Sequence, residues 1–206
     1  MKIYHYTNLD DWSEIKSGED YGKDPGLIPL RRIGKHGETW KNSATFCLLE
    51  PEPEQWKNNE NFTDIWNKFK RNTGRLLLEI EVDENDETIK VVDWANIESA
   101  LNRGEDQKKA YDKYWDSKVT LKEYLKNKNK LNFSLPEILI TEHVPMEKIS
   151  VSNEQPRIKE VLEEEGKYAE RFIDNIKRVP ELATWLKNYQ TEKENRKELA
   201  NKMKLR

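Results

Sequence analysis

An α+β fold is predicted by the order in which strand-like and helix-like segments follow one another. The order is strand, helix, long loop, strand, helix, hairpin, helices, strand pair and then helices, without the regular alternation that builds a parallel sheet. A second observation is the absence of any GxGxxG or Walker motif, which leaves Rossmann and P-loop readings without support. A third is the change of pattern near residue 154, after which the chain is charged and helical throughout. Two regions are therefore expected, a domain over 1–153 and a charged helical extension over 154–206. The chain has 206 residues, 35% hydrophobic and 36% charged, and its seven tryptophans and eight tyrosines argue against disorder.

The first strand is "KIYHYT", where alternation puts Ile3 and His5 on one face and Tyr4 and Tyr6 on the other. Asn8 is placed to cap the helix "LDDWSEIKSG", and Gly18 to stop it. Residues 19–43 carry Gly22, Pro25, Gly26, Pro29, Gly34 and Gly37, and read as a long functional loop that includes Arg31 and Arg32. "SATFCLLE" returns to a strand ended by Pro51 and Pro53. "NFTDIWNKFKRNTG" reads as a helix stopped by Gly74, with Phe62, Ile65, Trp66 and Phe69 on one face. "RLLLEIEVD" and "TIKVVDW" read as a hairpin joined by "ENDE". Residues 96–130 are expected to be mostly helical, with Thr120 capping "LKEYLKNKNK". "LPEILITEHVPMEKISV" reads as two short strands joined near Pro145, and Pro180 suits the first position of a late helix.

A net charge of −3 gives no global pull on a nucleic acid, so any such surface must be local. The single cysteine, Cys47, excludes an internal disulfide and sits in an apolar run, where a buried, inert thiol is expected. His5, His36 and His143 have no metal-ligand spacing, so no structural metal is expected. No opening apolar leader and no stretch of membrane-spanning length is seen, and a cytoplasmic protein without membrane association is expected.

Chemically capable residues stand on or beside apolar strands in three places: His5 with Tyr6 and Thr7, the Arg31–Arg32 loop leading to Thr45 and Phe46, and Glu137 at the head of "ILIT". Singly, each has a plain structural reading: an accommodated strand histidine, solvated loop arginines, a glutamate at a solvated strand end. In this order, "IYHYTN", "GLIP", "SATFCLL" and "LPEILITEHVPMEKISV" together resemble the ADP-ribosyltransferase superfamily. The branch is the histidine–aromatic–glutamate one, which includes poly-ADP-ribose polymerases and the DarT toxins. The resemblance runs from residue 3 to about 151 and lies in the order and spacing of degenerate motifs.

The resemblance implies a split antiparallel sheet core with flanking helices, and NAD as substrate. It implies that His5 hydrogen-bonds the adenosine-side ribose, that the Tyr6 backbone with Thr7 grips the nicotinamide amide, and that Arg31 or Arg32 pairs with the diphosphate. Glu137 would hold the nicotinamide-ribose 2′-hydroxyl and stabilise the positive charge that develops as nicotinamide leaves. Where much of the family has a tyrosine that stacks on nicotinamide, this chain has Thr45 and then Phe46; Trp40 and Tyr21 are alternative aromatic faces. Leu135 and Pro136 precede Glu137 without an acidic residue, which disfavours modification of protein arginine. A mono-ADP-ribosyltransferase of toxin or effector type is therefore expected, with a nucleic-acid or protein acceptor. The lysines of "KVTLKEYLKNKNK" are compatible with a nucleic-acid acceptor, but a solvated helix face is the preferred reading of the same pattern. An antitoxin or inhibitor partner is implied by the family alone. Two alternatives stay open: an RNA 2′-phosphotransferase-like enzyme, and an inactive binding module of the same fold.

Overall fold

The computed structural model describes residues 1–18, 24–29, 31–32, 43–104, 106–164 and 167–204, and backbone alone at a few of these. Much of the glycine-proline loop, with Tyr21 and Trp40, lies outside the described residues. The chain divides into two compact units, Met1–Glu154 and Gln155–Arg206.

In the first unit, β1 (Lys2–Thr7), β5 (Leu76–Glu81) and β10 (Ile149–Val151) form one antiparallel sheet with β5 in the middle. The central place of β5 explains its composition: Leu76, Leu77, Leu78 and Ile80 are fully buried, as a strand covered on both faces requires. A second sheet has the order β3 (Arg31–Arg32), β4 (Ser43–Cys47), β8 (Pro136–Ile140), β6 (Lys90–Asp93) and β7 (Val119–Thr120). The strands β2 (Gly26–Leu27) and β9 (Val144–Pro145) form a small pair. Every strand pairing among the described residues is antiparallel. A bridge between Tyr4 and Leu48, with hydrogen bonds of 2.9 and 2.7 Å, ties the edge of the first sheet to the end of β4.

Two sequence expectations are corrected by this topology. The segments β5 and β6 are consecutive strands but not a hairpin: β5 pairs with β1 and β10, whereas β6 pairs with β7 and β8. The "LPEILITEHVPMEKISV" segment likewise does not pair with itself. It runs from β8 in the second sheet through β9 and a short 3-10 turn to β10 in the first. Both misreadings have one cause: alternation identifies a strand, but partner choice depends on which apolar faces meet in three dimensions.

The helices follow their end signals more closely. In α1 (Leu9–Ser17), Gly18 takes a left-handed φ of 67° and its N–H bonds the Glu14 carbonyl. Asn8 occupies the N-cap position but makes no side-chain cap; its amide donates instead to Asp11 at 3.0 Å. A short α2 (Glu54–Lys57) precedes α3 (Ile65–Asn72), which buries Ile65 and Trp66, while Phe62 falls before its start. After α4 (Ala95–Asn102) and α5 (Gln107–Asp116), α6 (Leu121–Leu131) opens with a reciprocal capping box between Thr120 and Glu123. Aromatic side chains fill the core over these helices: Tyr6, Leu48, Trp56, Ile65, Trp66 and Leu135 form one cluster, and Ala44, Val92, Ile97, Tyr114 and Leu139 another.

The second unit is α7 (Pro156–Glu163), α8 (Lys167–Lys177) and α9 (Pro180–Lys204), with Pro180 as the first residue of α9. Helix α8 packs against both others. Phe172, Ile176, Leu182 and Leu186 are buried, Leu162, Ile173 and Trp185 are half-buried, and residues 191–200 are exposed. No helix among the described residues is long and apolar enough to cross a membrane.

Candidate functional site

The first strand ends at Thr7 and turns directly into α1, so the C-terminal half of β1 and the inner face of α1 form two walls of a cleft. Strands β2 and β4, the end of α3 and the loop from α3 to β5 supply the others. The resulting cavity has a volume of about 570 Å³, within the range of small-molecule sites. His5, Tyr6, Thr7, Thr45 and Phe46 all line it, although some forty positions of sequence separate the first three from the last two.

Gly74 is what lets these walls close. A Cβ at that position would stand 1.8 Å from the Thr7 carbonyl carbon and oxygen, so the backbone after α3 can approach the end of β1 only as glycine. The sequence marks Gly74 as a helix stop; its tighter constraint is this close approach.

Each lining residue has a definite environment. His5 is half-buried, and its Nδ1 lies 2.8 Å from the Phe46 carbonyl oxygen. A carbonyl only accepts, so Nδ1 carries the proton of this bond. Tyr6 turns its side chain away into the core, where its hydroxyl donates to the Pro51 carbonyl at 2.9 Å and its ring meets Phe69 edge-on. Thr7 is buried, with its hydroxyl 3.5 Å from Asp11. Thr45 is only 5% exposed, and its Oγ1 has no hydrogen-bond partner among the described residues. A buried hydroxyl left without a partner costs about 1–3 kcal/mol, which a ligand in the cavity can recover. Phe46 is half-buried and packs on the Tyr114–Leu139 cluster.

Asn8, Asp11, Glu14, Asn72 and Thr73 also line the cavity, and sequence reading did not single them out. The signal for Asp11 and Glu14 was available, since i, i+3 spacing puts both on one face of α1. Among the described lining residues there is no lysine or arginine. Arg31 and Arg32 form β3, paired with Ala44 and Ser43 at the cavity's β4 wall; their side chains lie outside the described residues.

Glu137 departs from its expected setting. Its plain reading is a solvated strand end; it is instead the second residue of β8, 3% exposed, on a strand flanked by β4 and β6. The reason is the central position of β8, all five of whose residues are buried. Glu137 does not line the large cavity. It lines a smaller one of about 80 Å³ with Trp56, Lys68, Trp94 and Glu98. The two cavities share Phe69, Asn72 and Thr73, so the end of α3 is their common wall. Glu137 accepts a hydrogen bond from the Tyr114 hydroxyl at 2.7 Å. Glu98, itself buried, pairs with Lys68 at 3.0 Å and accepts from the Trp94 indole at 3.1 Å.

Cys47 is buried on β4, and burial together with the nearby Glu137 carboxylate pushes its thiol pKa far up. It stays a neutral thiol at physiological pH and is no nucleophile. Among the described residues, no cluster of His, Cys, Asp and Glu has the arrangement of a metal site.

No protein-family model, no curated protein and no solved structure matches this chain. Function is therefore read from the residues of the cavity themselves.

Proposed function

We propose that the chain is an NAD-dependent mono-ADP-ribosyltransferase that transfers ADP-ribose to a nucleic-acid or protein acceptor. One observation carries the reading: His5, Tyr6, Thr7, Thr45 and Phe46, far apart in sequence, line a single cavity of about 570 Å³. The motif order that resembles the superfamily, and the antiparallel α+β architecture, agree with it.

The cavity's chemistry suits the ribose portions of NAD. His5, Asp11 and Glu14 bring polar side chains to the cavity that suit ribose hydroxyls, and the Thr45 hydroxyl, without a partner among the described residues, matches a polar ligand atom. The Phe46 ring supplies an apolar edge for a flat heterocycle. The diphosphate needs cations that the described lining lacks, and Arg31 and Arg32 on β3 are assigned that role.

In the reaction, the bond between the nicotinamide nitrogen and the ribose anomeric carbon breaks, and its electron pair leaves with nicotinamide. The acceptor nucleophile then bonds to the anomeric carbon and releases its proton to water. Glu137 is the group assigned to stabilise the positive charge that builds on the sugar, which a carboxylate in a buried, low-dielectric position does well. It acts from beyond the Phe69–Asn72–Thr73 wall, so this wall must admit the ribose.

The binding-module alternative draws support from that same wall, because a carboxylate outside the large cavity leaves binding without chemistry. One experiment separates the two readings. The protein is incubated with labelled NAD and separated pools of DNA, RNA and protein, beside Glu137→Gln. Label transfer or NAD cleavage that disappears in the variant supports the transferase. Binding of NAD by calorimetry without turnover supports the module, and absence of binding overturns the NAD reading altogether.

A further inference from the structure

Tyr114 has no place in the motifs that suggested the site, yet it is the residue in hydrogen-bond contact with the proposed catalytic carboxylate. It sits on α5, is fully buried, and its hydroxyl donates to Glu137 Oε2 at 2.7 Å. Its ring is held from two sides. Trp94 meets it edge-on with centroids 5.8 Å apart, and Trp115 does so at 5.4 Å. A phenol clamped in this way has one direction in which to present its O–H, and that direction is Glu137.

The small cavity holds a second carboxylate. Glu98 is engaged by the Lys68 ammonium and the Trp94 indole, so its charge is compensated by an ion pair. Glu137 receives a neutral O–H donor. An O–H donor favours the ionised carboxylate and fixes its orientation.

We infer that Tyr114 is a positioning residue: it holds Glu137 ionised and aimed so that the carboxylate meets the reacting sugar. This inference rests on the transferase reading for its kinetic consequence, but its effect on the Glu137 carboxyl exists with or without NAD.

The test is Tyr114→Phe, which keeps the ring and removes the donor, with folding checked by circular dichroism. For an NAD-cleaving protein, kcat falls about tenfold, as loss of one hydrogen bond to a charged group implies. KM changes by less than about twofold, and the acidic limb of the rate profile moves to higher pH. In the Glu137→Gln background the same substitution costs less than about twofold more, because Tyr114 acts through Glu137. A second tenfold loss there, or an unchanged kcat and acidic limb in a folded Tyr114→Phe protein, overturns the inference.

Infrared or carbon-13 titration of the Glu137 carboxyl, assigned with Glu137→Gln, gives a readout that needs no turnover. The titration moves up in Tyr114→Phe, and an unmoved titration overturns the inference. A wild-type protein that neither binds nor cleaves NAD sinks the transferase reading alone, and this titration then decides the role of Tyr114. Should Tyr114→Phe not fold, a ring-fluorinated tyrosine at position 114 strengthens the donor in the same shape. It moves the carboxyl titration down, and no movement overturns the inference.

Discussion

Two cavities share the end of α3, and they are built on opposite principles. The larger, about 570 Å³, is lined by a buried Thr45 hydroxyl that has no hydrogen-bond partner among the described residues, beside His5, whose Nδ1 bonds the Phe46 carbonyl. The smaller, about 80 Å³, is closely organised, with Glu98 ion-paired and Glu137 held by Tyr114. On the proposed reading, the difference separates recognition from chemistry in this chain. Groups that recognise a ligand can wait unsatisfied at modest cost, whereas a buried carboxylate must be stabilised by its own protein before any ligand arrives.

The sharpest way to break this comparison is Glu137→Gln. NAD cleavage is expected to fall about 10³-fold, the scale of a lost charge-stabilising group. NAD affinity, measured by calorimetry, should stay within about twofold. An equal loss in affinity would mean that the two cavities act as one.

Gly74→Ala attacks the large cavity through its wall. A Cβ 1.8 Å from the Thr7 backbone must push β1 and the α3–β5 connection apart, at an expected cost of about 3 kcal/mol in urea unfolding. NAD binding should fall with it. A variant of wild-type stability would show that the close approach at Thr7 is not a constraint.

Thr45→Val is a smaller and more selective change. The hydroxyl has no partner among the described residues, so unfolding free energy should hold or rise slightly, while NAD affinity drops about fivefold. Loss of stability without loss of affinity would reverse the assignment of Thr45 to the ligand.

Ser152→Ala is the control, since Ser152 lines neither cavity. Its hydroxyl donates to Glu79 at 2.7 Å. Burial pushes the Glu79 carboxyl up, but hydrogen bonds from Lys2 and Ser152 and the Lys2 charge outweigh it and hold the pKa below the usual glutamate value. A depressed folded-state pKa gives stability that is present above the unfolded value, about 4.3, and is lost as pH falls through the folded one. Ser152→Ala is therefore expected to cost about 1 kcal/mol at neutral pH, and less as the medium is acidified below about pH 4. NAD affinity should not change.

Much of the local structure was legible. Gly18 ends α1, Thr120 opens α6 with a capping box, and Pro180 begins α9, each because the chemistry of a helix end is settled within a few residues. The α+β class was legible from the strand and helix order. The strand partners were not, since β5 and β6 are close in sequence and carry the apolar pattern of a hairpin, yet belong to different sheets.

The candidate site divides along the same line. His5, Thr7, Thr45 and Phe46 were recognisable as chemically capable residues beside strands, and the sequence by itself determined their identity and order. That they share one cavity, that Glu137 stands behind Phe69 rather than at an open mouth, and that Tyr114 is its partner were decided only by tertiary structure. The physical reason is range. Caps and periodicity act over a single helical turn or strand, whereas a hydrogen bond across 23 residues is made by the packing of α5 on the second sheet, for which no short sequence pattern exists.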